Sequence, residues 1–223
     1  MVRALEEVFS RAGLEAHVLV IDDSSPDGTG ELADQLAAEL PNVTVLHRPT
    51  KQGLGPAYLE GFRQALAGAP DLVLSMDCDF SHDPADVPRL VAAAENADLV
   101  LGSRYVAGGG TSNWGLVRRA ISRAGSLYAR VLLGVPVRDL TGGFKCYRRE
   151  VVEALCAEPI SSRGYAFQIE MTYRALRAGY RVAEVPIVFT DRELGRSKMT
   201  RSIVLEALLQ VPAFRLAALR GRL

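Results

Sequence analysis

The 223-residue sequence lacks several features that would assign it to a common class of protein. Its three cysteines, Cys78, Cys146 and Cys156, form neither a Cys-x-x-Cys pair nor an even set, which argues against a disulfide scaffold or a structural zinc site. No run of about 18 uninterrupted apolar residues occurs, and the charged start MVRALEEVFSRAG has no apolar signal core. The sequence therefore predicts a protein of a reducing compartment, soluble or peripheral at a membrane.

A net charge is missing as well, because 26 Lys and Arg balance 26 Asp and Glu, but the two halves of the chain differ. Residues 1–103 carry 6 basic and 17 acidic side chains, whereas residues 104–223 carry 20 and 9. Between Arg104 and Arg149 there are nine basic residues and one acid, Asp139. This excess favours a partner that carries phosphate, although a basic face balanced by an acidic one is the alternative.

Short apolar runs alternate with helical patterns in the first half, which is typical of an α/β domain. The predicted strands are 17–21, 43–46, 71–76 and 98–101, and the predicted helices are 28–40, 55–67 and 84–94. Later patterns predict helices at 116–133, 166–178 and 198–219, the last kinked by Pro212, and a strand at 181–189. Right-handed crossovers then give a Rossmann-like, mostly parallel sheet with helices on both faces and ligand sites at the carboxyl ends of its strands.

Two carboxylates, Asp77 and Asp79, follow directly after the third predicted strand. Carboxylate oxygens suit Mg²⁺ or Mn²⁺, and such an ion fills its other positions with water and substrate phosphate oxygens, as a nucleotide diphosphate requires. Ser81 or His82 could complete the shell. A capping or turn role is the alternative explanation of the Asp-x-Asp spacing.

The first predicted strand also ends in acids, Asp22 and Asp23, before the turn sequence SSPDGT. Turn chemistry explains Pro26 and Gly28 but not two adjacent carboxylates, so we expect Asp23 to accept hydrogen bonds from a base or a ribose. The segment KQGLG at 51–55 precedes a helix and either brings backbone N–H groups to an anion or is a simple loop.

Motifs covering nearly all of residues 17–200 resemble the dolichol-phosphate or polyprenol-phosphate mannose synthases, which are inverting glycosyltransferases. The strings are DDSSPDGT, HRPTKQGLGPAY, MDCDFSHDP, GSRYVAGGG, DLTGGFKCY, GYAFQIEMTYRA, EVPIVF and DRELGRSKM. Any one of them would indicate only the wider inverting class, whereas GYxFQxEM and DRxxGxSKM together indicate the lipid-phosphate branch. The resemblance implies a single α/β domain over residues 1–223 with the GT-A (nucleotide-diphospho-sugar transferase) fold.

The resemblance also implies roles for individual residues. Metal ligands would be Asp77, Asp79 and Ser81. The nucleotide sugar would contact Asp23, Asp77, Cys78, Asp79, Arg104, Asp139 and Gly142, with Thr141 and Gly143 in the same sugar-side loop. The acceptor phosphate would contact Arg118, Arg119, Ser122, Arg192, Ser197 and Lys198. Asp79, Arg104 and Lys198 would be the catalytic residues.

The implied reaction transfers mannose from GDP-mannose to dolichyl or polyprenyl monophosphate with inversion, and Mg²⁺ or Mn²⁺ bridges the diphosphate. Residues 1–103 would bind nucleotide and metal, 104–200 would bind sugar and acceptor, and 201–223 would form an interfacial helix, since apolar residues and arginines mix there. A second segment, 114–133, could also touch the membrane; for both, packing on the core is the alternative. The protein would be peripheral on the cytoplasmic face, with a membrane subunit as an additional partner.

The chain departs from the family pattern at its start. Relatives begin with a strand ending in a Pro-x-Tyr-Asn-Glu-type motif, whereas residues 1–12 predict the helix that follows it, so we expect that strand to be missing from the numbered chain. This leaves open a UDP-glucose-dependent polyprenyl-phosphate glucosyltransferase and an inactive nucleotide-sugar or lipid-phosphate binding module. A Rossmann dehydrogenase is disfavoured because Gly108–Gly110 do not lie between a strand and a helix, and nucleic-acid binding because the basic region lacks an aromatic stacking pattern.

Overall fold

The computed structural model describes residues 1–160, 162, 164, 166–191 and 201–221, and of 201–205 and 207 it describes only the helical backbone. The helices are α1 (Val2–Ala12), α2 (Thr29–Glu39), α3 (Leu54–Ala67), α4 (Val87–Ala93), α5 (Leu116–Leu133), α6 (Arg149–Ala157), α7 (Ala166–Arg177) and α8 (Arg201–Leu219), with a 3₁₀ turn at Pro84–Asp86. The strands are β1 (Val18–Asp22), β2 (Val43–His47), β3 (Leu72–Ser75), β4 (Leu99–Ser103), β5 (Gly110–Ser112), β6 (Lys145–Arg148), β7 (Val182–Pro186) and β8 (Val188–Thr190). The alternation of strands and helices predicted for the first half is confirmed, whereas β5, β6 and α6 were not predicted.

The strands within the described residues form a four-stranded sheet, β3-β6-β4-β7, and two further pairs, β1-β2 and β5-β8. Pairing is parallel between β1 and β2, β4 and β7, and β5 and β8, whereas β6 runs antiparallel to both β3 and β4. The prediction of a single strand over 181–189 was wrong, because the strand is interrupted at Ile187. There the N–H of Ile187 binds the carbonyl of Ser103 and its own carbonyl accepts the N–H of Gly110, so the chain changes partner from β4 to β5.

Both faces of the four-stranded sheet are covered, as its apolar strands predict. Successive side chains of a strand point to opposite faces. On β4, Leu99 and Leu101 join a core cluster with residues of α3 and α5 to α8, while Val100 joins a second cluster with residues of α1 and α4. On β6, Tyr147 and Cys146 divide in the same way.

The sheet brings two of the predicted site segments to one edge. Because β3 and β4 both pair antiparallel with β6, they point in the same direction and their carboxyl ends meet at the same side. Asp77 follows β3, and Arg104 follows β4. The edge where a ligand site is expected in an α/β sheet therefore carries both motifs.

Helix α8 packs on the core with one side, and other apolar residues of the helix are exposed. One side is buried in the larger core cluster through Val211, Phe214 and Ala218. Other apolar residues of the same helix are exposed, namely Leu208, Leu209, Leu216 and Leu219. Pro212 lies inside the helix. Within the described residues, no helix combines the length and the apolar character that crossing a bilayer requires.

Candidate active site

The Asp77-Cys78-Asp79 segment turns sharply as it leaves β3. Phe80 has a left-handed backbone with φ of 59°, which is uncommon for a bulky residue, and strain of this kind clusters at functional sites. Asp79 Oδ1 accepts the N–H of Ser81 at 3.0 Å, while the side chain of Asp77 is 44% exposed. Cys78 is also exposed. The turn thus fastens Asp79 to the backbone and leaves the carboxylate of Asp77 accessible to a ligand.

His82, one of the two candidates for a further metal ligand, has a structural role instead. Its Nδ1 accepts the backbone N–H of Asp77 at 3.1 Å, and its ring stacks on Phe144 with centroids 5.0 Å apart. Burial lowers the pKa of His82 below its ordinary value, which favours the neutral ring with its proton on Nε2. His82 therefore supports the backbone of Asp77.

Ser81, the other residue considered, has the opposite character. Its Oγ is buried and has no hydrogen-bond partner in the part of the chain that the structure describes. A buried hydroxyl without a partner costs roughly 1–3 kcal/mol, which a bound cation or ligand would recover. Asp77, Asp79 and Ser81 all offer hard oxygen atoms, so the donor set fits Mg²⁺ or Mn²⁺ completed by phosphate oxygens. Among the described residues, no group of three His, Cys, Asp or Glu side chains could hold a metal ion by itself.

The end of β1 divides its two acids between different tasks. Asp22 is buried and accepts hydrogen bonds from the N–H of Ser25 at 3.1 Å and from Nδ1 of His47 at 3.2 Å. Asp23, 29% exposed, forms an ion pair with the buried guanidinium of Arg48, whose Nε also donates to Glu60 at 2.8 Å. Asp22 thus holds the turn, and Asp23 is oriented by Arg48 at the strand end.

Arg48 was missed by the sequence reasoning, although a signal for it exists. Parallel pairing places Asp22 beside His47 in the register of β1 and β2, so the next residues, Asp23 and Arg48, leave their strands side by side. An acid and a base that follow adjacent parallel strands could have been predicted to pair.

Arg104 and Asp139 are bound to each other. The guanidinium donates to both carboxylate oxygens at 2.7 Å, and the backbone N–H of Arg104 adds a third hydrogen bond at 3.0 Å. Arg104 Nη2 also donates to the Thr141 hydroxyl at 2.7 Å. Burial alone would raise the pKa of Asp139, but the charge and hydrogen bonds of Arg104 outweigh it and hold that pKa below its ordinary value. The predicted phosphate-binding arginine and sugar-side acid therefore form one buried unit at the strand edge.

The loop from Asp139 to Gly143 connects this buried pair with the metal motif. A side chain at Gly142 would lie 3.3 Å from the carbonyl of Gly102 and 3.8 Å from Asp139 Oδ1. One at Gly143 would lie 3.8 Å from Asp77 Oδ1. The backbone of this loop therefore lies within contact distance of both Asp139 and Asp77, and the absence of a side chain at Gly142 relieves a tight approach to Gly102.

Three of the residues predicted to bind the acceptor phosphate lie on the first turns of α5. Arg118 donates to Asp191 at 2.5 Å and lies over the ring of Trp114 at 4.1 Å, and its side chain is 20% exposed. Arg119 is exposed. Ser122 accepts the Tyr105 hydroxyl at 2.7 Å, which links α5 to the residue after Arg104. The remaining predicted residues of this set, Arg192, Ser197 and Lys198, lie outside the described residues.

The GYAFQIEMTYRA motif holds several buried polar groups whose roles the sequence reasoning did not assign. Glu170 accepts hydrogen bonds from the N–H and hydroxyl of Ser162 at 3.0 and 2.5 Å and from Arg174 Nε at 3.0 Å. The Ser162 carbonyl would lie 2.4 Å from a side chain at Gly55. Glu170 therefore fastens the segment before α7 against the start of α3, and the glycine of KQGLG serves this contact.

Comparison with known proteins gives consistent matches along the chain. A family model described as glycosyl transferase family 2 matches residues 1–156. An undecaprenyl-phosphate mannosyltransferase from Micrococcus luteus is 52% identical over 213 residues, which cover 94% of this chain and 88% of that protein. A polyprenol monophosphomannose synthase from Mycolicibacterium smegmatis is 48% identical over 211 residues, covering 94% and 78%.

Solved structures share the fold at lower identity. Glucosyl-3-phosphoglycerate synthase from Mycobacterium tuberculosis, in complex with Mn²⁺ and uridine-diphosphate-glucose, superposes with a TM-score of 0.62 at 22% identity. The match covers 94% of this chain and 74% of that one. The complex of the same enzyme with phosphoglyceric acid gives a TM-score of 0.61 at 20% identity, covering 96% and 74%.

Proposed function

Because the chain belongs to glycosyl transferase family 2 and, within it, to the polyprenol-phosphate mannose synthases, we propose that it transfers mannose from GDP-mannose to a polyprenyl monophosphate with inversion. The single observation that carries the site assignment is the position of Asp77. Its exposed carboxylate follows β3 and lies beside the glycine loop that begins at Asp139. A metal-bound diphosphate at Asp77 would place the attached sugar against that loop.

The reaction asks for alignment and charge neutralisation more than for proton transfer. The acceptor phosphate is already an anion, so no base must remove a proton from the attacking oxygen. Two unit charges about 4 Å apart repel by roughly 4 kcal/mol at an effective dielectric near 20. Arg118 and the exposed Arg119 are suited to offset this repulsion on the acceptor side, together with the predicted Arg192, Ser197 and Lys198.

The donor side is served by the acids. Asp77, Asp79 and the buried hydroxyl of Ser81 would hold Mg²⁺ or Mn²⁺, which would supply positive charge to the departing diphosphate. Asp23, oriented by Arg48, would accept hydrogen bonds from the nucleoside. The buried Arg104–Asp139 pair would shape the sugar side, and Arg104 would reach the phosphates only by giving up part of this pairing.

The acceptor lipid brings the enzyme to a membrane, and α5 has the surface for this. A groove beside α5 is lined by basic and aromatic residues as well as by apolar ones: Tyr105, Arg123, Ala124, Leu127, Arg130 and Arg138. An adjoining apolar groove is lined by Ala124, Leu127, Tyr128, Val131 and Leu132. Exposed leucines of α8 add to the same kind of surface, and Tyr128 of α5 donates to the Leu208 carbonyl at 3.1 Å. An anionic head group and an apolar chain would each find matching side chains here.

These features support a division of labour along the chain. Residues 1–103 would hold nucleotide and metal, 104–200 would hold sugar and acceptor, and 201–223 would contact the cytoplasmic face of the membrane through α8. A membrane subunit would be an additional partner at that surface.

The decisive experiment measures transfer of radiolabelled mannose from GDP-mannose to a short polyprenyl phosphate in detergent, with Mn²⁺ or Mg²⁺ and with EDTA as the control. We expect cation-dependent label in the lipid fraction and a β-linked product by NMR. UDP-glucose is tested as the competing donor. Glucose transfer without mannose transfer, or nucleotide-sugar binding without turnover, would contradict the proposal.

The membrane surface has its own test, which uses two leucines of equal exposure. Leu127 on α5 and Leu32 on α2 are both 58% exposed. We expect Leu127→Ser to weaken binding to anionic vesicles several-fold and Leu32→Ser to leave it unchanged, because only α5 carries the two grooves. Equal effects of the two substitutions in a vesicle sedimentation assay would contradict this surface.

A further inference from the structure

Helix α7 carries two buried side chains whose polar atoms have no hydrogen-bond partner in the described part of the chain. Gln168 is 2% exposed and both of its amide atoms, Oε1 and Nε2, are unpaired. Tyr173 is 1% exposed and its hydroxyl is unpaired. Buried polar groups without partners are rare and need an explanation, because each loses its hydrogen bonds to water on folding. The two side chains have different surroundings.

The side-chain amide of Gln168 lies next to Gly143, in the loop proposed to bind the sugar. A side chain added at Gly143 would lie 3.4 Å from Gln168 Nε2, 3.0 Å from the Tyr58 hydroxyl and 3.8 Å from Asp77 Oδ1. The amide, the phenol and the carboxylate therefore converge on the point where Gly143 lacks a side chain. Asp77 belongs to the metal motif, so this point adjoins the place proposed for the diphosphate. Tyr173, in contrast, belongs to the larger hydrophobic core cluster.

The position of Gln168 is fixed by neighbouring buried residues. The ammonium of Lys145 on β6 donates to the backbone carbonyl of Gln168 at 2.8 Å and to the Thr172 hydroxyl at 3.0 Å. The preceding residue, Phe167, packs against the ring of Tyr58 with centroids 5.4 Å apart. The first turn of α7 is thus held between β6 and α3, and the amide of Gln168 is preorganised while its own hydrogen bonds remain unmade.

We propose that the side-chain amide of Gln168 binds the hexose of the nucleotide-sugar donor through two hydrogen bonds to its hydroxyl groups. The inference rests on the proposed glycosyl transfer and names a residue for its sugar subsite. A primary amide offers one acceptor and two donors, which complement neighbouring hydroxyls that each donate and accept. A phosphate could accept from the amide N–H groups but could not donate to the amide oxygen, whereas the hydroxyl groups of the sugar can satisfy both Oε1 and Nε2.

The amide of Gln168 should also contribute to specificity for the hexose. A site built to hydrogen-bond a hydroxyl rejects an analogue that lacks it more strongly than an apolar pocket does, because its buried polar groups are then left unpaired. Gln168 is therefore a specificity-determining residue for the hexose, and its contribution should disappear with a ligand that lacks the sugar.

The experiment compares Gln168→Leu with Tyr173→Phe, because each removes unpaired buried polar atoms from the same helix. Binding of GDP and of GDP-mannose, each with Mn²⁺, is measured by calorimetry, and kcat and KM are measured in the transfer assay. For Gln168→Leu we expect about a tenfold or greater loss of GDP-mannose affinity and of kcat/KM, with GDP affinity unchanged. For Tyr173→Phe we expect no change in any of these values. Thermal unfolding of both variants checks that the fold is retained.

The outcomes separate this inference from the proposed function. If mannose transfer by the unsubstituted chain is normal and Gln168→Leu behaves like Tyr173→Phe, the inference is overturned and the proposed function stands. If Gln168→Leu loses GDP and GDP-mannose affinity equally, Gln168 has a structural role and the inference is again overturned. If the unsubstituted chain transfers glucose from UDP-glucose and no mannose, the proposed function fails. The same comparison with UDP and UDP-glucose then tests Gln168, and a loss confined to UDP-glucose supports it.

Discussion

The charges on the two sides of the site are used in different ways. On the acidic side, the Asp77 carboxylate after β3 is open, with a side chain that is 44% exposed, and Asp23 after β1 stays 29% exposed although it pairs with Arg48. On the basic side, the residue after β4 is closed, since Arg104 is buried on an Asp139 side chain that is 0% exposed. Open charges are available to a ligand, whereas a closed pair fixes the shape of the backbone around it.

The comparison changes how the charge asymmetry of the sequence is understood. Several of the basic residues between 104 and 149 are used inside the fold rather than toward a phosphate. Arg104 binds Asp139, Lys145 binds a helix carbonyl, and Arg148 donates to the carbonyl of Ala94 at 2.7 Å. The cations left at the surface lie mainly on α5 and next to it, where the acceptor is expected. A count of charges thus overstates the phosphate-binding surface.

The largest effect should come from removing one partner of the buried Arg104–Asp139 pair. Arg104→Met leaves the Asp139 carboxylate buried without its cation, which costs about 3–5 kcal/mol in the free energy of unfolding. Arg104→Met combined with Asp139→Leu should recover much of that loss, because neither charge then remains buried alone. Urea unfolding measures both variants.

The control for this pair is an exposed arginine from the same part of the sequence. Arg119→Met should change the free energy of unfolding by less than about 0.5 kcal/mol, as surface substitutions usually do. If Arg104→Met were as mild as Arg119→Met, Arg104 and Asp139 could not be a closed pair, and the contrast between the two sides of the site would fail.

The open side should show the reverse pattern, in which activity is lost and stability is kept. Asp79→Asn removes a charged oxygen from the proposed cation site, so we expect about a hundredfold or greater loss of kcat with little change in the free energy of unfolding. Asp83→Asn is the matched control, because Asp83 in the same loop caps the 3₁₀ turn through the N–H of Ala85 at 2.9 Å and Asn caps equally well. Near-normal turnover of Asp79→Asn with Mg²⁺ or Mn²⁺ would remove Asp79 from the metal site.

Much of this arrangement could be predicted from the sequence, since it depends on local pattern. The motif strings predicted the family and the GT-A fold, which the relatives and the structural neighbours confirm. Alternating strands and helices predicted that Asp77 and Arg104 follow strands. The position of β6, antiparallel between β3 and β4, brings the two together, and a pattern of residues carries no information on that order.

Other parts depend on contacts between distant segments and could not be predicted. Arg104 binds Asp139 because a loop 35 residues away folds over the end of β4. The amide of Gln168, which has no hydrogen-bond partner among the described residues, lies next to Gly143 only because α7 packs against this loop. In both cases the residue type was evident, while its partner, or the lack of one, is decided by tertiary packing.

A pH-dependent effect is expected from Lys145, a buried cation that has no carboxylate partner among the described residues. Burial lowers its pKa to about 7, with Asp139 opposing part of the shift. In the unfolded chain a lysine titrates near pH 10.4. Between about pH 7 and 10 the unfolded chain therefore binds the extra proton, so the free energy of unfolding should rise with pH by up to about 1.4 kcal/mol per unit.

Substitution isolates this contribution. Lys145→Met should lack the rise, so its stability relative to the unsubstituted chain should fall steadily from pH 7 to pH 9.5 in urea unfolding. Lys51→Met, at an exposed lysine, should follow the unsubstituted chain at every pH. If the free energy of unfolding changes with pH in the same way for all three proteins, burial does not lower the pKa of Lys145.

The smallest effect should come from His47, an open charge that supports the end of β1. Hydrogen bonds to Asp34, at 2.8 Å, and to Asp22, at 3.2 Å, raise its pKa above the ordinary value. The stabilisation is therefore complete below about pH 6.5, the unfolded value, and is lost as the pH rises through the folded value. His47→Gln should lower the melting temperature at pH 5.5 and have less effect at pH 9, whereas His17→Gln, whose ring contacts the Thr44 hydroxyl, should show no such trend. If His47→Gln lowers the melting temperature equally at both pH values, the His47 ring acts as a neutral hydrogen-bonding group. Its positive charge would then not stabilise the end of β1.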